Sequence, residues 1–353
     1  MKELEIRAAG ALGALIERVP TIKLEDIEVE PAGSDHGVDI LAHVNVSDRP
    51  RVLVCEVKAS GQPRHVRMAL LQLRDYVAHH GSEVTPIFIA PYLSPEAQAL
   101  CRAHEVGFLD LEGNARLVFD GVFIERLVSS KPSAERRELK SLFKPKSAQV
   151  LRVMLRDPGR PWRVTELAEI AVVSLGHVSN VRSGLLDREW GRVSDKGLFI
   201  SEADALLNAW RDAYEPPAGK RMSFYTTQHG SAFEDTARQA LHAGPGNGQA
   251  VFASFSAAHW LAPYGRTGLQ YFYADDAGLE RLKVGLKLSS ASKGENVAVT
   301  LLKDQGLFRD ITEPAPGAVC TSPIQTYLDL TAAGERGREA AEHLRREKLS
   351  WPK

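Results

Sequence analysis

Cysteine is scarce: Cys55, Cys101 and Cys320 are the only three in the sequence. An odd number at wide spacing excludes a disulfide framework and a cysteine-rich zinc site, and it reads as reduced, buried thiols. Long apolar runs are missing as well. Residues 1–20 alternate charged and apolar side chains, which excludes a signal peptide or membrane span there and predicts a cytoplasmic protein with no membrane partner. Net charge is almost absent, because 44 Lys and Arg stand against 45 Asp and Glu, giving −1. That balance neither supports nor excludes nucleic acid, since a DNA-binding face needs clustered cations and not a basic average.

What is present is ordinary globular material, 44% hydrophobic and 25% charged over 353 residues. Such a chain can bury a sizeable core unaided, but its length exceeds one usual core. Composition and periodicity divide it into a multidomain α/β protein: an α/β domain at 1–130, a basic linker at 131–146, a helical segment closed by a hairpin at 147–215, and a C-terminal α/β domain at 216–353.

In the N-terminal third, residues 27–30, 38–46, 51–58, 85–90 and 107–111 read as strands, and 64–80 and 94–105 as helices. Ser94-Pro95-Glu96 is a helix start, and Asp120-Gly121 a hairpin turn. Within this frame stand Gly37-Val38-Asp39-Ile40 and, one strand later, Cys55-Glu56-Val57-Lys58. Residues two apart on a strand share a face, so Glu56 and Lys58 project together, and Asp39 can join them from the neighbouring strand. Asp39 and Glu56, with a main-chain carbonyl such as that of Val57, make a hard-oxygen set suited to Mg²⁺. Lys58 beside them could position a water for attack on a phosphodiester. An ordinary cross-strand charge pattern would carry the same residues.

Asp39 followed by Glu56-x-Lys58 in a strand-turn-strand context resembles the PD-(D/E)XK nuclease superfamily, in particular its Mrr-like branch. Val38 stands where the family name has proline. Gln72 and Tyr76, four apart on the next helix, look like the Gln-x-x-x-Tyr motif of RecB-type members. The resemblance implies a metal-dependent DNA nuclease fold, with Asp39, Glu56, Lys58 and Gln72 as catalytic candidates. Beside it stands a plainer reading of Gln72 and Tyr76, an exposed helix face next to a core stripe of Leu70, Leu71, Leu73 and Val77.

The linker carries Lys131, Arg136, Arg137, Lys140, Lys144 and Lys146 against Glu135 and Glu138. It reads either as a phosphate-tracking connector, with Arg136 and Arg137 at its centre, or as a solvated helix. From Ser147 three short helices precede a strand, turn and strand, the order of a winged helix-turn-helix. Thr165 is the expected cap of the second helix and Ser174 of the third. Val178, Val181, Leu185 and Leu186 form the buried face of the third helix. His177, Ser179, Asn180, Arg182 and Ser183 are left for duplex DNA, with Arg192 and Lys196 on the wing for phosphate or minor groove.

In the C-terminal third, 252–264 reads as a helix, and 269–273 and 297–302 as strands. Aromatics such as Trp260, Tyr264, Tyr271, Phe272 and Tyr273 read as core. Gly244-Pro245-Gly246-Asn247-Gly248 reads as a flexible loop lacking the ending of a phosphate loop. Leu206-Leu207-x-x-Trp210 and Gln325-Thr326-Tyr327-Leu328-Asp329-Leu330, continued by Arg336-Gly337-Arg338-Glu339-Ala340-Ala341, resemble the AbiEi family of type IV toxin-antitoxin antitoxins and autorepressors. The resemblance, from about Ser147 onward, implies promoter-type DNA binding, antagonism of a nucleotidyltransferase-like toxin without direct contact, and is compatible with a homodimer. Three functions stay open: a regulator with a structural front end, a Mg²⁺-dependent nuclease delivered by the winged helix, or, more weakly, a protein-interaction adaptor with no DNA function.

Overall fold

Apolar residues at helical spacing along 2–16 and at alternate positions along 22–57 dictate how the chain begins: one helix lying on a sheet. The computed structural model describes residues 1–31, 38–81, 83–128, 131–242, 248–265 and 267–351. Gly37 and residues 244–247 of the glycine-rich loop lie outside them. The chain divides into two compact units, 1–136 with 186–189, and 137–185 with 190–353.

The first unit runs α1 (Lys2–Ile16), β1 (Ile22–Val29), β2 (Ile40–Val46), β3 (Arg49–Val57), α2 (Pro63–His80), β4 (Val84–Ala90), α3 (Pro95–Ala103), β5 (Gly107–Asp110), β6 (Ala115–Phe119), β7 (Val122–Arg126) and the start of α4 (Ser133–Leu142). The seven strands lie in chain order. The β3–β4 and β4–β5 pairs are parallel and the others antiparallel. Strand alternation sends Leu53, Cys55 and Val57 to the side packed by Ala8, Leu12 and Ile16 of α1. It sends Val54, Phe88 and Phe108 to the side packed by Val66, Leu70 and Leu73 of α2. The result is the mixed α/β layering that the sequence predicts. Asp120 and Gly121 both take positive φ, 45° and 77°, which the two-residue β6–β7 turn requires. Ser94 caps α3 by accepting from Ala97 N at 3.2 Å.

Three expectations are corrected here. The first strand starts at Ile22 and not at residue 27, because a register shift between Leu24 and Asp26 interrupts its alternation. On α2 the core stripe includes Tyr76, 6% exposed, and excludes Leu71, 69% exposed. The basic connector is helical: α4 buries Leu139 and Leu142, and Glu135 accepts from Gln62 Nε2 and Arg188 Nη2, each at 2.9 Å.

The second unit continues with α5 (Pro145–Arg156), α6 (Val164–Ala171), α7 (Leu175–Asp187), β8 (Gly191–Ser194), β9 (Gly197–Ile200) and α8 (Ala203–Asp212). Strands β8 and β9 pair antiparallel, and Trp162 bridges to Leu198 through N–O contacts of 2.7 and 2.9 Å. A β-carbon at Gly197 would stand 2.3 Å from the Trp162 carbonyl oxygen, so this close approach demands glycine. Arg163, not Thr165, occupies the cap position of α6, and no side chain caps it. Ser174 does accept from His177 N, at 3.4 Å.

Next come β10 (Gly219–Tyr225), α9 (Gly230–Leu241), β11 (Ala250–Phe252), α10 (Ser254–Leu261), β12 (Gln270–Ala274), α11 (Asp276–Gly285), β13 (Ser289–Ser290), β14 (Val297–Leu302), a 3₁₀ turn (Gln305–Arg309), β15 (Ile311–Thr312), β16 (Cys320–Thr321), α12 (Pro323–Thr331) and α13 (Gly334–Lys348). A second sheet has the order β13-β10-β14-β12-β11-β16-β15. The predicted helix at 252–264 is shorter, because Phe252 ends a strand and Ser254, at φ 48°, turns the chain into α10. Phe272 and Tyr273 are buried as expected, whereas Tyr264 is 43% exposed. All three cysteines are free and buried. Among the described residues no helix is long and apolar enough to cross a membrane.

Candidate functional site

Asp39, Glu56 and Lys58 come together where β2 begins and β3 ends. Asp39 Oδ2 accepts from the backbone N of Val57 at 2.6 Å, which fixes its carboxylate against β3. Lys58 Nζ pairs with Glu56 Oε1, while Glu56 Oε2 is buried without a partner. The Glu56 side chain is 1% exposed and that of Lys58 29%. Burial pushes the Glu56 carboxyl above the usual carboxylate range; Asp39 and Glu5 push the same way and Lys58 opposes them. The charged form of Glu56 thus rests on one lysine.

Glu5 is the residue that sequence reasoning misses. It is 3% exposed on α1, its Oε2 also lacks a partner, and its pKa is raised by burial and then by Asp39 and Glu30. A signal existed: Glu5 stands three and seven residues before Ala8 and Leu12, on the helix stripe that enters the core. An acid on such a stripe needs a reason.

Two orphaned carboxylate oxygens and a nearby Asp39 are the chemistry a divalent cation would satisfy. Among the described residues, however, no group of three or more His, Cys, Asp or Glu side chains is gathered closely enough to hold a metal. The described residues here form no closed protein cage for a metal. Gln72 is exposed on α2, while Tyr76, four residues on, sits in the core and stacks on His80 at 3.9 Å.

On α7 the buried residues are Val178, Val181 and Leu185, with Leu186 only partly covered. His177, Ser179, Asn180, Arg182 and Ser183 are all exposed, as are Arg192 on β8 and Lys196 in the β8–β9 turn. The helix has no acidic residue before Asp187. Arg136 and Arg137 are exposed on α4.

The Gln325-to-Leu330 phrase is buried throughout. Asp329 Oδ1 accepts from Tyr214 Oη, from Tyr273 Oη at 2.9 Å and from Gln325 Nε2 at 2.9 Å. Gln325 Oε1 accepts from Arg152 Nη1 at 3.0 Å, and Arg152 and Arg156 of α5 both face Asp310. Burial raises the Asp329 pKa to about 6 against these hydrogen bonds. This polar brace ties α5 and the end of α8 to α12, a role that the sequence motif alone does not reveal.

Residues 199–350 match a family model described as transcriptional regulator, AbiEi antitoxin, type IV toxin-antitoxin system. The C-terminal region thus carries the likeness that its phrases imply, while the match starts within β9 and leaves out α5 to α7. No curated protein matches the chain. Among solved structures, EndoMS in apo form shares 21% identity over 29% of this chain and 45% of that one, at a TM-score of 0.22. A repair endonuclease from Pyrococcus abyssi gives 21%, 29%, 46% and 0.22. An EndoMS–double-stranded DNA complex gives 24%, 30%, 45% and 0.22. The chain spans under half the length of these solved proteins, and TM-scores this low decide nothing about fold or activity.

Proposed function

We propose that the protein is a DNA-binding regulator of the antitoxin type. The observation that carries this reading is the antitoxin-regulator match over 199–350, directly after three helices and a hairpin. In this reading α5 to β9 form a winged helix-turn-helix with α7 in the major groove. Asn180 reads adenine, Arg182 reads guanine or phosphate, and His177, Ser179 and Ser183 make the flanking contacts. Arg192 and Lys196 meet phosphate from the wing, and Arg136 and Arg137 add sequence-independent attraction. A two-fold operator would call for a homodimer, and a nucleotidyltransferase-like toxin would be opposed without contact. The test is an electrophoretic shift with DNA upstream of the protein's own coding sequence, first in EDTA and then with Mg²⁺ or Mn²⁺. A shift in EDTA with intact DNA supports the regulator; no sequence preference on any upstream fragment overturns it.

A second reading, a Mg²⁺-dependent DNA nuclease, is favoured by the unpartnered oxygens of Glu5 and Glu56 beside Lys58. Asp39 and Glu56 would hold the ion. Bound there, Mg²⁺ would supply positive charge to neutralise the carboxylates and stabilise a phosphodiester's developing charge. Lys58 would donate to the attacking water and orient it. Cleavage in Mg²⁺ that Lys58→Ala abolishes, with the metal's thermal stabilisation kept, would establish this reading.

A further inference from the structure

A cavity of about 570 Å³ opens in the second unit where β10 ends and β12 and β14 begin. Neither DNA reading nor nuclease chemistry uses it, and three features of its wall point to one kind of ligand.

The first feature is planar apolar surface. Phe252, Phe255, Trp260 and Tyr264 all line the cavity, with the Phe252 and Trp260 rings 5.9 Å apart. Aromatic walls of this sort take a flat ring by stacking. The second is a set of fixed polar atoms. Asn296 is locked by Thr226, accepting from its N at 2.9 Å and donating to its carbonyl at 2.8 Å. Gln270 accepts from Ser256 Oγ at 2.7 Å. Gln228, whose own N donates to Thr226 Oγ1 at 3.2 Å, keeps a buried Oε1 with no partner. An orphaned acceptor on a cavity wall calls for a ligand N–H. The third feature is an anion seat. His229 and Gly230 begin the twelve-residue helix α9, which has no side-chain cap, and a β-carbon on Gly230 would meet nothing within 4 Å. The Arg336 guanidinium lines the same cavity, and His259 stands there paired with Glu234 at 3.6 Å.

A flat ring, an N–H to donate and a compact anion within one small molecule describe a nucleoside phosphate. We propose that this cavity binds one, with the base against the aromatic wall and donating to Gln228 Oε1, and the phosphate at the start of α9 beside Arg336. The volume lies within the ordinary range of small-molecule sites. Glu234 limits the net positive charge there, which favours a monophosphate over a triphosphate. The site does not depend on the regulator reading, because its occupancy can be measured with no DNA present.

The test is isothermal titration of the full chain with AMP, GMP, CMP and UMP, with inorganic phosphate as the control and a 5′-phosphorylated oligonucleotide in parallel. Saturable one-to-one binding of at least one nucleotide is expected, with phosphate alone at least roughly tenfold weaker. Gln228→Leu and Arg336→Lys should each weaken the nucleotide roughly tenfold, with thermal unfolding showing that both variants fold. Gln228→Leu keeps the test decisive if the arginine variant loses stability. Tighter binding of the oligonucleotide supports the site and names a strand end as the source; tighter binding of the mononucleotide supports it and names a free nucleotide. No saturable heat with any of the four up to about 1 mM, or undiminished binding in both variants, overturns the proposal.

Discussion

The two units supply their buried carboxylates with different numbers of donors. Near β3, Glu5 and Glu56 each hold an oxygen with no partner, and Lys58 pairs with Glu56. Around α12, Asp329 collects hydrogen bonds from two tyrosines and a glutamine, and the neighbouring Asp310 faces two arginines. One oxygen of each of these four acids lacks a partner, so what separates the sites is the service of the other oxygen: Asp329 Oδ1 takes three donors and Glu56 Oε1 a single lysine.

The largest effect should come from the brace. Arg152, 5% exposed, holds Gln325 and faces Asp310. Arg152→Ala should cost about 3 to 5 kcal/mol of unfolding free energy, since it leaves Asp310 with Arg156 alone and the buried Gln325 amide oxygen without its donor. Urea denaturation measures this, and a loss under about 1 kcal/mol would mean that the network does not hold α5.

At the other site, Lys58→Ala should cost about 1 to 3 kcal/mol, because Glu56 then loses the lysine donor on its Oε1 while remaining buried. Adding Glu56→Gln should recover most of that loss. If the double variant is no more stable than Lys58→Ala, the pair is not coupled as described.

Smaller still is a pH effect. The folded-state pKa of Asp329, about 6, lies above its ordinary value of 3.8. Its contribution is therefore fully present below pH 3.8 and lost as pH rises through about 6, because the native state then carries a buried charge. Wild type should lose stability relative to Asp329→Asn between those values. A constant difference in melting temperature across that window would show that Asp329 is no harder to ionise in the fold than outside it.

Much of this was legible in the sequence, and the failures have physical causes. The run Val297–Leu302 is read to the residue because it is a β-favouring segment that only Thr300 interrupts as a polar residue, and α2 is read to within one residue of its start. The strand Ile22–Val29 was hidden at its front by a register shift that breaks alternation, and β11 was absorbed into α10 because one apolar stretch serves both. Asp39, Glu56 and Lys58 are found by period-two spacing within strands, a local signal. Glu5 meets them only through the packing of α1 on the sheet, and Arg152 meets Gln325 across 173 positions. No local pattern encodes either meeting. The exposed face of α7 could be read because helix periodicity alone separates Val178, Val181 and Leu185 from Asn180 and Arg182.

The most direct measurement of the regulator account is fluorescence anisotropy in EDTA with two labelled duplexes, the upstream segment that binds and a scrambled version of it, for wild type and for Asn180→Ala with Arg182→Ala. The account predicts that wild type prefers the upstream duplex and that the double variant loses about 1 to 3 kcal/mol of that preference, with its melting temperature unchanged. Equal preference in both proteins would contradict it, because specific recognition would then lie elsewhere than on α7.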